Sequence, residues 1–457
     1  MKRFLALASS LTLLAFAIAC GGGKFGTSGG TSPSAVFVTG EDAPLPSVVS
    51  FFVTINSITL NNATGSVTVL STPTTVDFGR LVGLRSLLGF NTVAPGTYTG
   101  ATFNLSNPVI DYINLAANPP TLSTINGSLG TSAVTVSFPQ PMVVANNGLA
   151  GLHMDFDLRD SLATDVNGQI TGVVNPVIFI QAVSASQAEG QITDFSGSVI
   201  SVSTGNNSFL MQGPWGFQES ISVNSQTQYN GSFTLASLPI DGIASVEGNV
   251  QPDGSILATA VEAVTTDKAF ISGRLLQVNP SSGAVQTLTM YIGEELPAMN
   301  GNFAINQVVT FNVSQVSTYD VSFIDNALTS FLFNDSSLEP GQRIFVGGTW
   351  DAVTSTFTPD LISLRRQGVV ALLVPSSVTV VSGNQGSFQL QNNLLLGWVA
   401  QGPFTVNTFA GTQFVNTTGL AGLSTAGTAP IVASGLVLKN PISGQPEVFA
   451  HRVVVLP

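Results

Sequence analysis

The chain has 457 residues, of which 44% are hydrophobic and only 8% charged, and its formal net charge is −12. That length suffices for about three or four ordinary domains. So acidic a balance excludes a nucleic-acid partner, whose phosphates require clustered Lys and Arg, and an electrostatic grip on anionic lipid. With so few charges, long helices with charged outer faces are excluded as well, and β-sheet with neutral polar outer faces is expected.

Met1-Lys2-Arg3 makes a positive start, and Phe4 to Ile18 is an apolar run broken by Ser9, Ser10 and Thr12. Ala17-Ile18-Ala19 then leads to Cys20, the one cysteine of the chain. The run is shorter than the ~20 apolar residues of a spanning helix. A charged start, a short apolar middle and small residues at the cut mark a removable signal. The segment resembles the bacterial lipoprotein signal, with Ala17 where that family prefers leucine. The resemblance implies a signal peptide over residues 1–19, lipid attachment at Cys20 and export to the cell envelope. Gly21 in place of an aspartate implies the outer membrane, where the organism has one. Lipidation also gives a role to a thiol that has no disulfide partner in an oxidising compartment. No further membrane-spanning helix is expected.

Residues 20–34 are a flexible Gly/Ser/Thr tether, reaching roughly 20 Å by the scaling of such linkers. Gly26-Thr27-Ser28-Gly29-Gly30 within it matches the pattern G-x-S-x-G. It lacks the strand before and the helix after that a nucleophile elbow needs.

From Ala35 the pattern is of strands. Val49, Phe51, Val53 and Ile55 alternate with Ser50, Phe52, Thr54 and Asn56, a period of two. Asn61 to Gly65 is a turn, and Val67 and Val69 start the return strand. Leu81, Leu84, Leu87 and Leu88 fall at helical spacing and predict one short helix ending at Gly89. Strands follow at Thr97 to Leu105 and around Val134, Val136 and Phe138. In Leu152 to Leu158, Leu152, Met154, Phe156 and Leu158 point one way, and His153, Asp155, Asp157 and Arg159 the other. Asp165 to Gly168 turns the chain, and Val173 to Val183 closes the unit.

Asp42-Ala43-Pro44, Pro95-Gly96-Thr97-Tyr98, Met154-Asp155-Phe156-Asp157-Leu158 with Ser161, and Asn175-Pro176-Val177 together resemble the bacterial family called "domain of unknown function 4382". The resemblance covers residues 35–184. It implies a β-sandwich on a lipoprotein and brings no activity with it.

The second half repeats itself. Units start near Glu189-Gly190-Gln191-Ile192, Ile271-Ser272-Gly273-Arg274 and Arg366-Gln367-Gly368-Val369. Midway come Thr227/Tyr229, Thr318/Tyr319 and Thr412/Phe414, and each unit ends in a Gly-bearing strand with its return. The pattern is similar to a second bacterial family, "domain of unknown function 5666", over residues 188–265, 268–365 and 366–457. Each unit has the size of a small closed β-barrel, and closure removes exposed strand edges. The period is too long for a one-strand solenoid. The expected architecture is therefore all-β: a sandwich with one short helix, then three barrel-like units as beads on a string.

Few residues invite a chemical role. Asp155 and Asp157, two apart on one strand face and with Asp42 as a third candidate, are the one carboxylate group placed to share a ligand or a hard cation. A calcium ion wants about six to eight oxygens, and the bland alternative is a solvated strand face with Asp157–Arg159 as a surface pair. Asp165-Val166-Asn167-Gly168 fails the EF-hand spacing and is a turn. Glu294-Glu295 are adjacent, whereas glycosidase carboxyls face each other about 5–9 Å apart, so they are expected to be solvated. His451 has no second histidine near it in sequence, and zinc needs three or four converging ligands; no metal or cofactor is expected. Trp215, Trp350 and Trp398 fall one to each repeat. Trp215, in a Gly-Pro-Trp-Gly-Phe stretch, is the expected contact residue for a glycan or an envelope protein, whereas Trp398 is expected in the core. The sequence thus predicts a non-catalytic, lipid-anchored binding or scaffolding module. The alternatives are an envelope spacer without a ligand and an unrecognised hydrolase.

Overall fold

The structure, a computed structural model, describes residues 34–456 except 44, 46, 115–120, 188–189, 214–217, 231–232, 264–268, 281–283, 297–302, 304, 322–332, 352, 392–402 and 441–442. Cys20, the tether, Trp215 and Trp398 lie outside the described residues. The fold is all-β. Among the described residues no helix is long and apolar enough to cross a membrane.

The N-terminal unit is two main sheets around one core, with a small third sheet of Leu162–Thr164, Ile170–Val174 and Ser128–Leu129 packed onto it. One sheet has the order Ile178–Val183, Leu149–Asp157, Ser34–Ala43, Ser86–Val93, with its two middle strands parallel. The other is built on Val48–Asn62 and Gly96–Asn114, flanked by Gly65–Leu70, Thr74–Asp77, Thr121–Asn126 and Ala133–Val144. Period-two alternation decides what is buried. Val36, Val38, Leu152, Met154 and Phe156 of the first sheet meet Phe51, Val53, Ile55, Ala101 and Phe103 of the second. The Asn61–Gly65 turn closes a hairpin, with Gly65 at φ +156.

The helix expected over Leu81–Leu88 does not form. Phe78–Arg80 is a single 3-10 turn, and Ser86–Val93 is a strand of the first sheet. The four-residue helix of this unit is Leu158–Ser161, begun by Asp157, whose Oδ1 accepts the Asp160 N–H at 3.0 Å. The reason lies in tertiary contacts that helical spacing does not register. Residues 80–85 form a plug touching all three repeats. Arg80 pairs with Glu294, and Arg85 donates from Nε to the Gln191 carbonyl at 2.9 Å. A Cβ on Gly368 would run into the Val82 backbone, and Gly83, at φ +63, sits against Ser434. A left-handed Gly83 and a buried Arg85 tied to another unit's backbone are incompatible with a helix here.

The three C-terminal units share one path, in which the first strand of a unit pairs with its fifth, the fifth with its sixth and the sixth with its fourth. In the first, Gln191–Ser203, Ser208–Gln212, Gln218–Ser222, Ile256–Ala263 and Ile243–Val250 close into a five-stranded barrel, with Gln228–Asn230 paired in parallel to Ile256–Ala263. The second places Ala269–Asn279, Thr287–Leu296, Val308–Asn312, Arg343–Asp351, Thr356–Leu364 and Thr318–Val321 in the same order. The third uses Gln367–Leu372, Thr379–Ser382, Gln385–Leu390, Phe404–Val415, Pro430–Lys439 and Pro446–Val455, but its hairpin of Thr379–Ser382 and Gln385–Leu390 pairs with Phe404–Val415 at the other end of the sheet. Among the described residues the first unit alone closes through strand pairing, where three barrel-like units were expected. Tyr229, Tyr319 and Phe414 take matching positions, opposite Val261, Ile362 and Val453 in parallel pairings. Each final hairpin also carries a bulge at the same place, at Gly248, Gly348 and Gly435, leaving Thr259, Asp360 and His451 as the extra residue. A Cβ at any of these glycines would strike the carbonyl of the facing strand. The hydroxyl that anchors the crossing strand recurs: Thr227 donates to the Ala258 carbonyl and Thr412 to that of Ala450, both at 2.8 Å.

The units are not beads on a string. Phe37 and Leu87 of the sandwich pack into the first repeat's core, and Leu436, Leu438 and Phe449 of the third into the second's. Tyr291 of the second repeat donates to Asp111 of the sandwich at 2.8 Å. Glu294 and Glu295, expected in solvent, are buried at this contact, where Arg80 and Arg343 face Glu294. Several of the scarce charges sit in such junctions. Arg365 bridges to Glu262 at 3.1 Å and to Ser245 at 2.6 Å, its guanidinium 4.0 Å over the Phe345 ring, and Arg366 pairs with Glu247.

Candidate functional site

The first sheet of the sandwich turns its outer face toward the third repeat. Because Ser34–Ala43, Leu149–Asp157 and Ile178–Val183 are adjacent, their outward residues line up in two cross-strand rows. These are Thr39, His153, Gln181 and Glu41, Asp155, Phe179. The inner ends of the rows are buried and engaged. Thr39 Oγ1 lies 3.1 Å from His153 Nδ1. Glu41 accepts from Arg452 of the last strand at 3.0 and 3.3 Å, with Arg85 at 3.6 Å and His153 Nε2 at 3.8 Å. The outer ends are open: Gln181 is exposed and Phe179 is 48% exposed.

Between this floor and a roof of Val415, Asn416, Arg452, Val454 and Leu456 lies a cleft of about 550 Å³. Asp157, Arg159, Asp160 and Gln140 complete its walls. Such a volume is within the ~300–1,000 Å³ of ordinary ligand sites. The N-terminal and C-terminal units build it together, so neither holds it alone.

Burial opposes ionisation of Glu41, but Arg452, Arg85 and His153 together outweigh it and hold its carboxyl below the usual range. At the same junction His451 is pushed down to about 3 by burial and by Arg366, Arg85 and Arg452, so it is neutral there. Both histidines of the chain thus stand beside Arg452, although far apart in sequence.

Of the residues singled out from sequence, the structure brings His153, Asp155, Asp157 and Arg159 to one wall of the cleft. It does not make them a solvated face: His153 and Asp157 are buried, and Asp157 is both the helix cap and the partner of Arg159 at 3.4 Å. Asp42 does not join them. Alternation puts it on the core side of the sheet with Val38 and Gly40, beside Phe156. There burial first, and then the nearby Asp155 charge, push its carboxyl well above the usual range. The Asp42–Asp155–Asp157 cation site is therefore not assembled, and among the described residues no three metal-ligating side chains converge. Asp165 is a turn residue, accepting the Asn167 and Gln169 N–H groups. Trp350 packs edge-on against Phe303 at 5.3 Å. Sequence gave no pointer to Glu41, Phe179, Gln181 or Arg452. Their sole signal is the strand alternation that puts Phe179 and Gln181 on the face of His153 and Asp155.

None of the curated proteins matches the chain. Among solved structures, a mutant of the shaft pilin spaA from Lactobacillus rhamnosus GG is similar at 11% identity, over 62% of this chain and 94% of that one. Its TM-score of 0.10 is too low to carry a structural argument. Residues 35–172 match the family described as "Domain of unknown function (DUF4382)", a span that stops short of the last strand of the sandwich, Ile178–Val183. A DUF4382 domain is thus found in the N-terminal sandwich.

Proposed function

We propose that this protein is a non-catalytic, lipid-anchored module of the cell envelope, attached through Cys20, which binds a ligand in the cleft between its sandwich and its third repeat. The observation that carries this reading is the cleft itself, of about 550 Å³, with charged, amide and apolar walls drawn from both ends of the chain. The three C-terminal units, with their common register and bulges, are proposed to be repeats of the "domain of unknown function 5666" type.

A non-catalytic role is supported by an arrangement among the described residues that resembles a nucleophile, base and acid. Thr39, His153 and Glu41 are adjacent, but Thr39 is fully buried, out of reach of any substrate, and Glu41 is bound by Arg452. A nucleophile must meet its substrate. A scaffolding role is supported by the ion-paired junctions between units, which hold the units against one another.

Two measurements test this. Palmitate labelling of the wild type but not of Cys20→Ala supports the anchor, and equal labelling refutes it. Capture of an envelope component that is lost when Gln181→Trp fills the cleft supports the binding site, and capture unchanged by that substitution refutes it.

A further inference from the structure

Resting on the binding-module reading above, we infer that the cleft takes a neutral saccharide segment of one or two rings. A sugar presents an apolar C–H face and a rim of hydroxyls, each both donor and acceptor. A site for it needs a flat apolar surface, with acceptors and amides at its edge.

The cleft supplies each. Phe179 stands half exposed on the open end of the sheet floor, facing an apolar roof that includes Val415 and Leu456. An aromatic ring this exposed on a sheet face is a stacking surface as well as buriable area. Asp155, its cross-strand neighbour, and Gln181, one row away, set a carboxylate and an amide beside the ring, and Gln140 adds a second amide. A carboxylate accepts only, whereas an amide both donates and accepts, which suits hydroxyl partners.

Charge pairing argues against anionic ligands and multivalent cations. Both arginines of the walls are engaged, Arg452 with Glu41 and Arg159 with Asp157 and Asp160. Four carboxylates stand against those two guanidiniums, so a phosphate, sulfate or uronate would meet excess negative charge. Three of the four carboxylates are in turn held in those pairs, so the walls do not form a multivalent cation site.

The test is titration of the purified protein, by calorimetry and saturation-transfer NMR, with maltose, cellobiose and N,N′-diacetylchitobiose. Glucuronic acid and spermidine serve as the anionic and cationic probes. The expected result is binding of at least one neutral disaccharide, weakened about tenfold by Phe179→Ala, the loss of one ring contact. Gln181→Ala weakens it several-fold. Gln181 is exposed and Phe179 half exposed, so both variants stay folded, with Phe179→Ala melting only slightly below the wild type. The inference is overturned if no neutral disaccharide binds at millimolar concentration, if glucuronic acid or spermidine binds more tightly, or if binding survives Phe179→Ala. Should the sugars fail while Gln181→Trp still abolishes envelope capture, the ligand class falls and the binding-module reading stands.

Discussion

Replacing Arg452 by methionine keeps most of the side-chain volume and removes the guanidinium that meets Glu41 at 3.0 and 3.3 Å. Both partners are nearly excluded from water, Arg452 at 3% and Glu41 at 8% exposure. Deleting one member of a buried ion pair costs about 3–5 kcal/mol, because the other charge stays desolvated. Here Arg85 at 3.6 Å and His153 at 3.8 Å still face Glu41, which places the loss near the lower end, about 3 kcal/mol. Urea unfolding at pH 7.5 measures it. The double variant Glu41→Gln/Arg452→Met removes both charges and should lose about 1 kcal/mol, so the pair is strongly coupled. The pH dependence gives an independent check. The folded carboxyl of Glu41 is held below its ordinary 4.5, so its contribution is present above pH 4.5 and is lost as pH falls through the lower folded value. The wild-type and Arg452→Met stability curves should therefore converge in acid. A loss below about 1 kcal/mol at pH 7.5, or curves that diverge as pH falls, would refute the assignment of this pair as the clasp between the two ends of the chain.

Four further outcomes follow from the same structure. Gly435→Ala would drive a Cβ into the Phe449 carbonyl at the conserved bulge of the third repeat and should cost about 3 kcal/mol by denaturant unfolding. Gly205→Ala, with open space around it, should stay within about 0.5 kcal/mol of wild type. Burial raises the Glu219 carboxyl from 4.5 to about 8, so folding takes up a proton between those values and stability falls as pH rises from 4.5 to 8. Glu219→Gln should accordingly be more stable than wild type at pH 8, by on the order of 2 kcal/mol, with the advantage gone near pH 4.5 in thermal melts. His451 is lowered from 6.5 to about 3, so the unfolded chain binds the extra proton and stability drops as pH falls from 6.5 toward 3. In His451→Gln that slope should flatten, and an unchanged slope would place the acid sensitivity elsewhere.

Much of the architecture was legible because strands and tight turns are local. Val49 to Ile55 alternate and form a strand, Asn61 to Gly65 turns it, and Leu152 to Phe156 buries one side as its pattern requires. The repeats were legible through glycines and aromatics whose spacing is set by a bulge and a crossing strand, as at Gly248, Gly348 and Gly435. The leucines at 81, 84, 87 and 88 misled for the opposite reason. Their apolar faces serve partners from different units, and helical spacing cannot distinguish that from one buried stripe.

The sequence by itself determined an all-β chain, its division into a sandwich and three alike units, and one face of the cleft, since alternation along a single strand put His153, Asp155 and Asp157 together. Only the tertiary structure decided that this face is covered rather than solvated, that Asp42 turns away from it, and that Arg452 closes it against Glu41 from 411 residues along the chain. Periodicity reports which side of a strand is buried, because the pleat repeats every two residues. It carries no record of what does the burying, which depends on how separately folded units meet and which of their few charges find an opposite partner there.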